Sequence, residues 1–256
     1  MARPHPDKMT FLEHLEELRS RLVRSVIALV VGFAACWNFR EQIFQFMTRP
    51  LRNAGFTDQF VFMGPADALL LYMKMAFFVG IFVASPYLLW EVWAFISPGL
   101  YRNEKLYAIP FIGFGSLFFL GGAAFGHYFL FPMTFQFLGG FGGPEIRFMP
   151  RIDDYYTFYS WFLLGLGLVF QIPVVIFVLA RIGIVTAGFL LRGWKWAVVG
   201  SFVLAAFVTP TPDAVTAAFL AGPMIGLYFL GVAVAWVFGR DRKKAAADDV
   251  SVEAKS

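Results

Sequence analysis

LLLYMKMAFFVGIFVASPYLLW, residues Leu69–Trp90, carries a single charge, Lys74, in 22 positions. A helix of that length rises about 33 Å, and the hydrocarbon core of a bilayer is about 30 Å thick. The segment therefore reads as a membrane span. Comparable stretches lie on both sides of it: Leu22–Phe39, Tyr107–Phe131, Phe158–Ala180, Trp194–Val208 and Val215–Phe238. Four of the six exceed the usual spanning length, the first approaches it, and the fifth is short. The chain reads as an all-α polytopic membrane protein with six transmembrane helices.

Composition agrees with that class. Hydrophobic residues make up 59% of the chain and charged residues 15%, against about half and a quarter in soluble domains. The mean hydropathy is +0.68. The 33 phenylalanines and 24 glycines suit helices that pack closely in lipid. A net charge of +4 would suggest nucleic acid in a soluble protein; in a membrane chain the placement of charge is more informative. Six spans put both termini on one side. Of the 21 lysines and arginines, fifteen fall on that side, in the two tails and the connections Ser97–Leu106 and Arg181–Lys195. Five fall opposite: Arg40, Arg49, Arg52, Arg147 and Arg151. Positive residues collect in the cytoplasm, so both termini are expected there. The first apolar run follows a charged leader and has no small-residue cleavage site, so no cleavable signal is expected. Cys36 alone allows no intramolecular disulfide.

The chain is expected to form one membrane domain over 1–256. An amphipathic cytoplasmic helix covers 9–21, the six spans cover 22–238, and a disordered cytoplasmic tail covers 239–256. In the leader, Thr10-Phe11-Leu12-Glu13 has a capping-box pattern, and Leu12, Leu15, Leu18 and Leu22 recur at helical spacing. A membrane-surface anchor is the plain reading of that pattern. In the loop Glu41–Ala66, Ile43, Phe44, Phe46, Met47 and Leu51 suggest a short helix against the bilayer, and Asp67 is placed to cap the next helix. The loop Gly139–Asp154 is rich in Gly and Pro. Pro173 is expected to kink span four. The fifth span, 15 residues between Trp194 and Val208, reaches only roughly 22 Å, which predicts local thinning of the bilayer or snorkelling by Arg192 and Lys195. Gly122–Gly126 and Gly222–Gly226 match GxxxG, a weak signal in a Gly-rich chain.

Enzyme signatures are missing. The sequence has no GxSxG, no P-loop and no HExxH, and the spans lack paired aspartates. His5, His14 and His127 are scattered and form no metal set with one cysteine. No catalytic residue, metal or cofactor is expected. Polar residues at or inside spans are few. Lys74 and Glu91 are either functional or structural, with their heads reaching the interfaces. Gln171 is read as a hydrogen-bonding link between helices.

Several segments together resemble TatC, the multispanning receptor of the twin-arginine protein translocase. His14–Leu22 reads HLEELRSRL, similar to that family's HLxELRxRL motif. Arg49-Pro50-Leu51 resembles its first outer-loop motif. Ser85–Tyr101, SPYLLWEVWAFISPGLY, followed by Glu104-Lys105, resembles its most distinctive block. Phe131-Pro132, Phe170–Pro173 and Thr209–Asp213 follow in matching order, and the resemblance covers about residues 9–238.

The resemblance implies a non-enzymatic receptor in the bacterial inner membrane. Such a protein binds twin-arginine signal peptides of folded cargo at the cytoplasmic face. It recruits single-span TatA-like and TatB-like partners into a multimeric complex, and the proton-motive force drives export. Glu17 and Glu104 match the recognition acids; carboxylates bind guanidinium groups by bidentate, charge-assisted hydrogen bonds. The two acids are expected to converge on one patch. Arg19 and Arg21 match the adjoining basic pair, which orients the acids, contacts the cargo signal, or binds lipid headgroups. Pro50, Pro86, Glu91, Phe95, Pro173 and Asp213 fall at motif positions. The sequence departs from the family at Gln171, where glutamate is usual, and at Ala217, where many members have glutamine. Gln171 cannot carry a proton. A solute transporter predicts related halves and converging membrane charges, and the sequence has neither; a non-receptor scaffold would not retain twin-arginine precursors.

Overall fold

The structure is a computed structural model that describes residues 11–53, 64–96, 108–140, 151–208 and 214–239. All regular structure among these residues is helical. In chain order the helices are α1 (Phe11–Trp37), α2 (Arg40–Asn53), α3 (Asp67–Ile96), α4 (Ala108–Phe125), a π-helical turn (Gly126–Leu130), α5 (Phe131–Gly139), α6 (Ile152–Val169), α7 (Ile172–Ile182), α8 (Ala187–Arg192), α9 (Trp194–Val208) and α10 (Ala214–Phe238). Five helical segments are long and apolar enough to cross a membrane, and Trp194–Phe207 is a shorter apolar helix. They correspond in order to the six apolar stretches. The residues fall into two compact units, one of residues 1–44 and 69–116, the other of 45–68 and 117–256.

In the first unit the amphipathic leader and span one form a single helix, α1, with no break at the charged–apolar boundary. Thr10, the expected cap, lies outside the described residues, as does the expected tail beyond Gly239. α1 pairs antiparallel with α3 through glycine. A Cβ on Gly32 would stand 2.8 Å from the carbonyl oxygen of Gly80, and one on Gly80 would stand 2.8 Å from the backbone nitrogen of Phe33. Backbone meets backbone there, which any side chain would prevent. α3 is longer than its apolar stretch and carries Glu91 and Phe95 inside its last turns. Asp67 is its first helical residue and not a flanking cap; its carboxylate accepts from the Gly64 N–H at 2.7 Å.

In the second unit, α2 buries Met47, Thr48, Pro50 and Leu51. The expected short helix is present and runs through Pro50. Phe131 and Phe135 of α5 pack with Tyr155, Phe158 and Tyr159 of α6, with ring centroids 4.9–5.8 Å apart. Sequence reading missed the π-turn before Phe131. Its wide hydrogen bond, from the Phe131 N–H to the Gly126 carbonyl, precedes Pro132, whose ring would crowd the carbonyl four residues back in an unbroken α-helix. Gly122 and Gly126 pack tightly on α6 and the turn that follows it: a Cβ on Gly122 would meet the Phe170 ring at 2.7 Å and the Leu166 oxygen at 2.8 Å. Gly222 and Gly226 have nothing within 4 Å of the same probe position. Span four breaks at Phe170-Gln171, and Pro173 is the second residue of α7, so its missing N–H falls where a new helix has no partner to offer. α7 ends at Gly183, whose φ of 82° is the left-handed conformation glycine allows. The connection that follows contains α8, capped by Thr186, whose side chain accepts from Phe189 N–H at 3.3 Å. Ile176, Ala180, Leu190, Val232 and Ala235 form the core joining α7, α8 and α10. α9 has 15 residues, as short as its sequence.

Candidate functional site

Two helix faces in the first unit form a ladder. On α1, His14, Glu17 and Arg21 lie three and four residues apart; on α3, Tyr87, Glu91 and Phe95 lie four apart. Both spacings stack side chains on one face. The antiparallel pairing set by Gly32 and Gly80 brings the faces together. The His14 ring stacks on Phe95 with centroids 4.5 Å apart and planes 22° apart. One step along, Arg21 lies between two carboxylates. Its Nε donates to Glu17 Oε1 at 3.0 Å, and its Nη2 donates to the same oxygen. Its Nη1 donates to Glu91 Oε2 at 3.1 Å. The Tyr87 hydroxyl donates to Glu91 Oε1 at 2.7 Å.

The two acids are not equivalent. Glu91 is 4% exposed and both its oxygens are bonded. Glu17 gives one oxygen to Arg21, while its Oε2 is buried without a hydrogen-bond partner. A buried carboxylate oxygen with no donor is costly and uncommon. A hollow lined by Glu13, Glu16, Glu17, Ser20, Arg21 and Arg24 opens beside it. Within the Glu17–Arg21–Glu91 group two carboxylates share one guanidinium, so one negative charge stands uncompensated inside the group, with Arg24 the next cation, on the lining of the hollow. The arrangement can accept one more cation that donates hydrogen bonds.

The remaining expected residues fall as follows. Arg19 is exposed on α1 and lies away from the ladder. Pro86 is exposed inside α3, while Pro50 and Pro173 are buried. Gln171 is half-buried at the break before α7. Glu104 and Asp213 lie outside the described residues. Tyr87 and the His14–Phe95 stack were missed. The i,i+4 spacing of Tyr87 with Glu91 was the signal for Tyr87; the stack joins two helices and left none in the sequence.

A second polar cluster lies in the second unit. His127, on the π-turn, bonds through Nδ1 to the Tyr159 hydroxyl at 2.7 Å. Its ring stacks on Phe46 at 4.2 Å with planes 9° apart. The Tyr155 hydroxyl donates to the Met47 carbonyl at 2.6 Å. His127 is a packed residue, 3% exposed. No group of three or more metal-ligating side chains occurs among the described residues.

These helices and this partly buried charge network define a polytopic α-helical membrane protein with a charged cluster between α1 and α3 of its first unit. The profile of the Sec-independent protein translocase protein TatC matches residues 13–223, and the chain belongs to the TatC family. The Sec-independent protein translocase protein TatC of Koribacter versatilis is 42% identical over 241 residues, 92% of this chain and 89% of that one. Its counterpart from Desulforapulum autotrophicum is 40% identical over 251 residues, 96% of this chain and 93% of that one. A crystal structure of the twin arginine translocase receptor TatC matches with a TM-score of 0.77 at 31% identity. The match covers 87% of this chain and 98% of that one.

Proposed function

We propose that this chain binds the twin-arginine signal peptides of folded cargo, with Glu17 as a principal acid, and nucleates assembly of TatA-like and TatB-like subunits for export. Both termini lie in the cytoplasm of a bacterial inner-membrane protein, and the protein performs no catalysis. Proton-motive force supplies the energy. One observation carries the site: Glu17 Oε2 is buried, unpartnered and beside a hollow lined by three glutamates, Ser20 and two arginines. A guanidinium supplies planar donors that match such an oxygen. Glu104 is the second acid, and Arg19 contacts the cargo signal or lipid headgroups. Gln171 contributes hydrogen bonding at the helix break.

The test is binding of synthetic signal peptides to the full chain in nanodiscs. A peptide with consecutive arginines should bind more tightly than its Lys-Lys counterpart. Glu17→Gln and Glu104→Ala should each weaken the Arg-Arg peptide roughly tenfold or more, the value of a charged hydrogen bond. Equal binding of the two peptides to the native protein would overturn this assignment.

A further inference from the structure

Arg21 is chemically the same group as the one Glu17 is proposed to receive. It already occupies Glu17 Oε1, and it is held at the same time by Glu91, a buried carboxylate fixed from its other side by the Tyr87 hydroxyl. From this geometry we infer that Arg21 is an internal competitor for Glu17, and that Glu91 with Tyr87 is the seat that draws it away when cargo arrives. The inference rests on the assignment of Glu17 to the cargo signal.

The reasoning is one of charge and donors. Arg21 spends Nε and Nη2 on one oxygen of Glu17 and only Nη1 on Glu91. Its guanidinium is therefore shared unequally, with the larger part on α1. Glu91 sits on a different helix, is more deeply buried, and is oriented by Tyr87 one turn earlier in α3. It is a ready second partner, and transfer of Arg21 toward it needs only a side-chain rotation. An incoming guanidinium at Glu17 Oε2 makes that transfer favourable, because two cations on one carboxylate repel while Glu91 holds Arg21 by a single hydrogen bond. The end state has two guanidinium groups on two carboxylates, with the unbalanced charge gone. Without Glu91, Arg21 rests wholly on Glu17 and cargo must compete with it. Tyr87 and Glu91 thus set how available Glu17 is, without touching cargo themselves.

The experiment compares four full-length proteins in nanodiscs: native, Glu91→Gln, Glu91→Gln with Arg21→Gln, and Glu17→Gln. Each is titrated with the Arg-Arg and Lys-Lys peptides. Glutamine at 91 keeps an oxygen for the Tyr87 hydroxyl, so the helix pairing is preserved. Glu91→Gln should weaken the Arg-Arg peptide about tenfold, as Arg21 closes Glu17. The double variant should recover native affinity or exceed it, because the competitor is gone. A purely structural role for Glu91 predicts no such recovery. Native affinity in Glu91→Gln, or a double variant as weak as the single, overturns the inference. If instead Glu17→Gln binds the Arg-Arg peptide like the native protein, the assignment of Glu17 itself fails, which is a separate result. Should Glu91→Gln not fold, Tyr87→Phe with and without Arg21→Gln makes the same comparison. It should show a loss of about threefold that the second substitution reverses, because Glu91 keeps its charge and loses only one of its two donors. No reversal there overturns the inference equally.

Discussion

The ladder of the first unit and the His127 cluster of the second both bury polar groups among apolar helices, and they do so by opposite means. Around His127 the hydrogen-bonded pairs are neutral: an imidazole meets a phenol, a phenol meets a backbone carbonyl, and a phenylalanine ring covers the imidazole, with the Arg49 guanidinium 5.9 Å from the centre of that ring. Such an arrangement fixes helices and asks for nothing more. In the Arg21 ladder the groups are charged, their number does not balance, and one carboxylate oxygen is left without a donor. Polar burial that is complete reads as architecture. Polar burial that is incomplete by one cation reads as a site.

The first way to break this comparison is Arg21→Ala. It removes the cation from Glu91, which is 4% exposed, and from Glu17. Loss of one partner from a buried ion pair costs about 3–5 kcal/mol, because the other charge remains in a poor solvent. Unfolding of the variant in mixed detergent micelles should show a loss of that size. A change below about 1 kcal/mol, the scale of an exposed pair, would mean that Glu91 reaches water and that the ladder is not buried chemistry.

The ladder also marks what the sequence disclosed and what it withheld. Spans were legible because about 20 apolar residues have few other uses, and the kink at Pro173 and the short α9 follow from residues alone. Gly122–Gly126 and Gly222–Gly226 were indistinguishable as motifs; only packing separates the pair pressed against α6 and Phe170 from the pair with open space. Glu17 stood out by family resemblance. Its partnership with Glu91, 74 positions on, was not legible, since it depends on where α1 and α3 cross. That crossing is set by Gly32 and Gly80, two glycines among 24. The π-turn was hidden for a similar reason: Pro132 announces a disturbance but not the form it takes.

A second, smaller effect sharpens the contrast from the neutral side. His127→Phe keeps the stack on Phe46 in shape but takes the partner at 2.7 Å from the Tyr159 hydroxyl. Tyr159 is 1% exposed, so the loss should be about 1–3 kcal/mol, the cost of depriving a buried polar group. Adding Tyr159→Phe should return most of it, since no polar atom of the pair then remains. A double-mutant cycle in the same unfolding assay measures the coupling. The charged ladder should behave differently: neutralising both Arg21 and Glu91 should return only part of the stability lost in Arg21→Ala, because Glu17 keeps its charge without its cation, and peptide affinity should stay at or above the native value. Neither His127 variant should change peptide affinity by more than the error of the titration.

The smallest effect expected is that of Tyr155→Phe. The hydroxyl reaches from α6 to the Met47 carbonyl at 2.6 Å, across 108 positions of sequence. That carbonyl lies in α2, three residues before Pro50. Proline supplies no N–H, so the Phe46 carbonyl, four residues back, has no helical donor, and Tyr155, bonded to the next carbonyl, ties this part of the helix to α6. Removing one neutral hydrogen bond costs about 0.5–1.5 kcal/mol, and here the loss should be local. Amide exchange measured by mass spectrometry should rise in α2, over residues 45–53, and stay unchanged in α6, where the substituted ring would keep its contacts with Phe131 and Phe135. Phe131 and Phe135 lie 5.5 and 5.6 Å from the native ring. If α2 exchanges at the native rate, its attachment comes from the buried Met47 and Leu51 side chains, and the hydroxyl only satisfies itself. If α6 loosens as well, the bond belongs to the core of the unit, and the neutral cluster carries more of the fold than its single hydrogen bonds suggest.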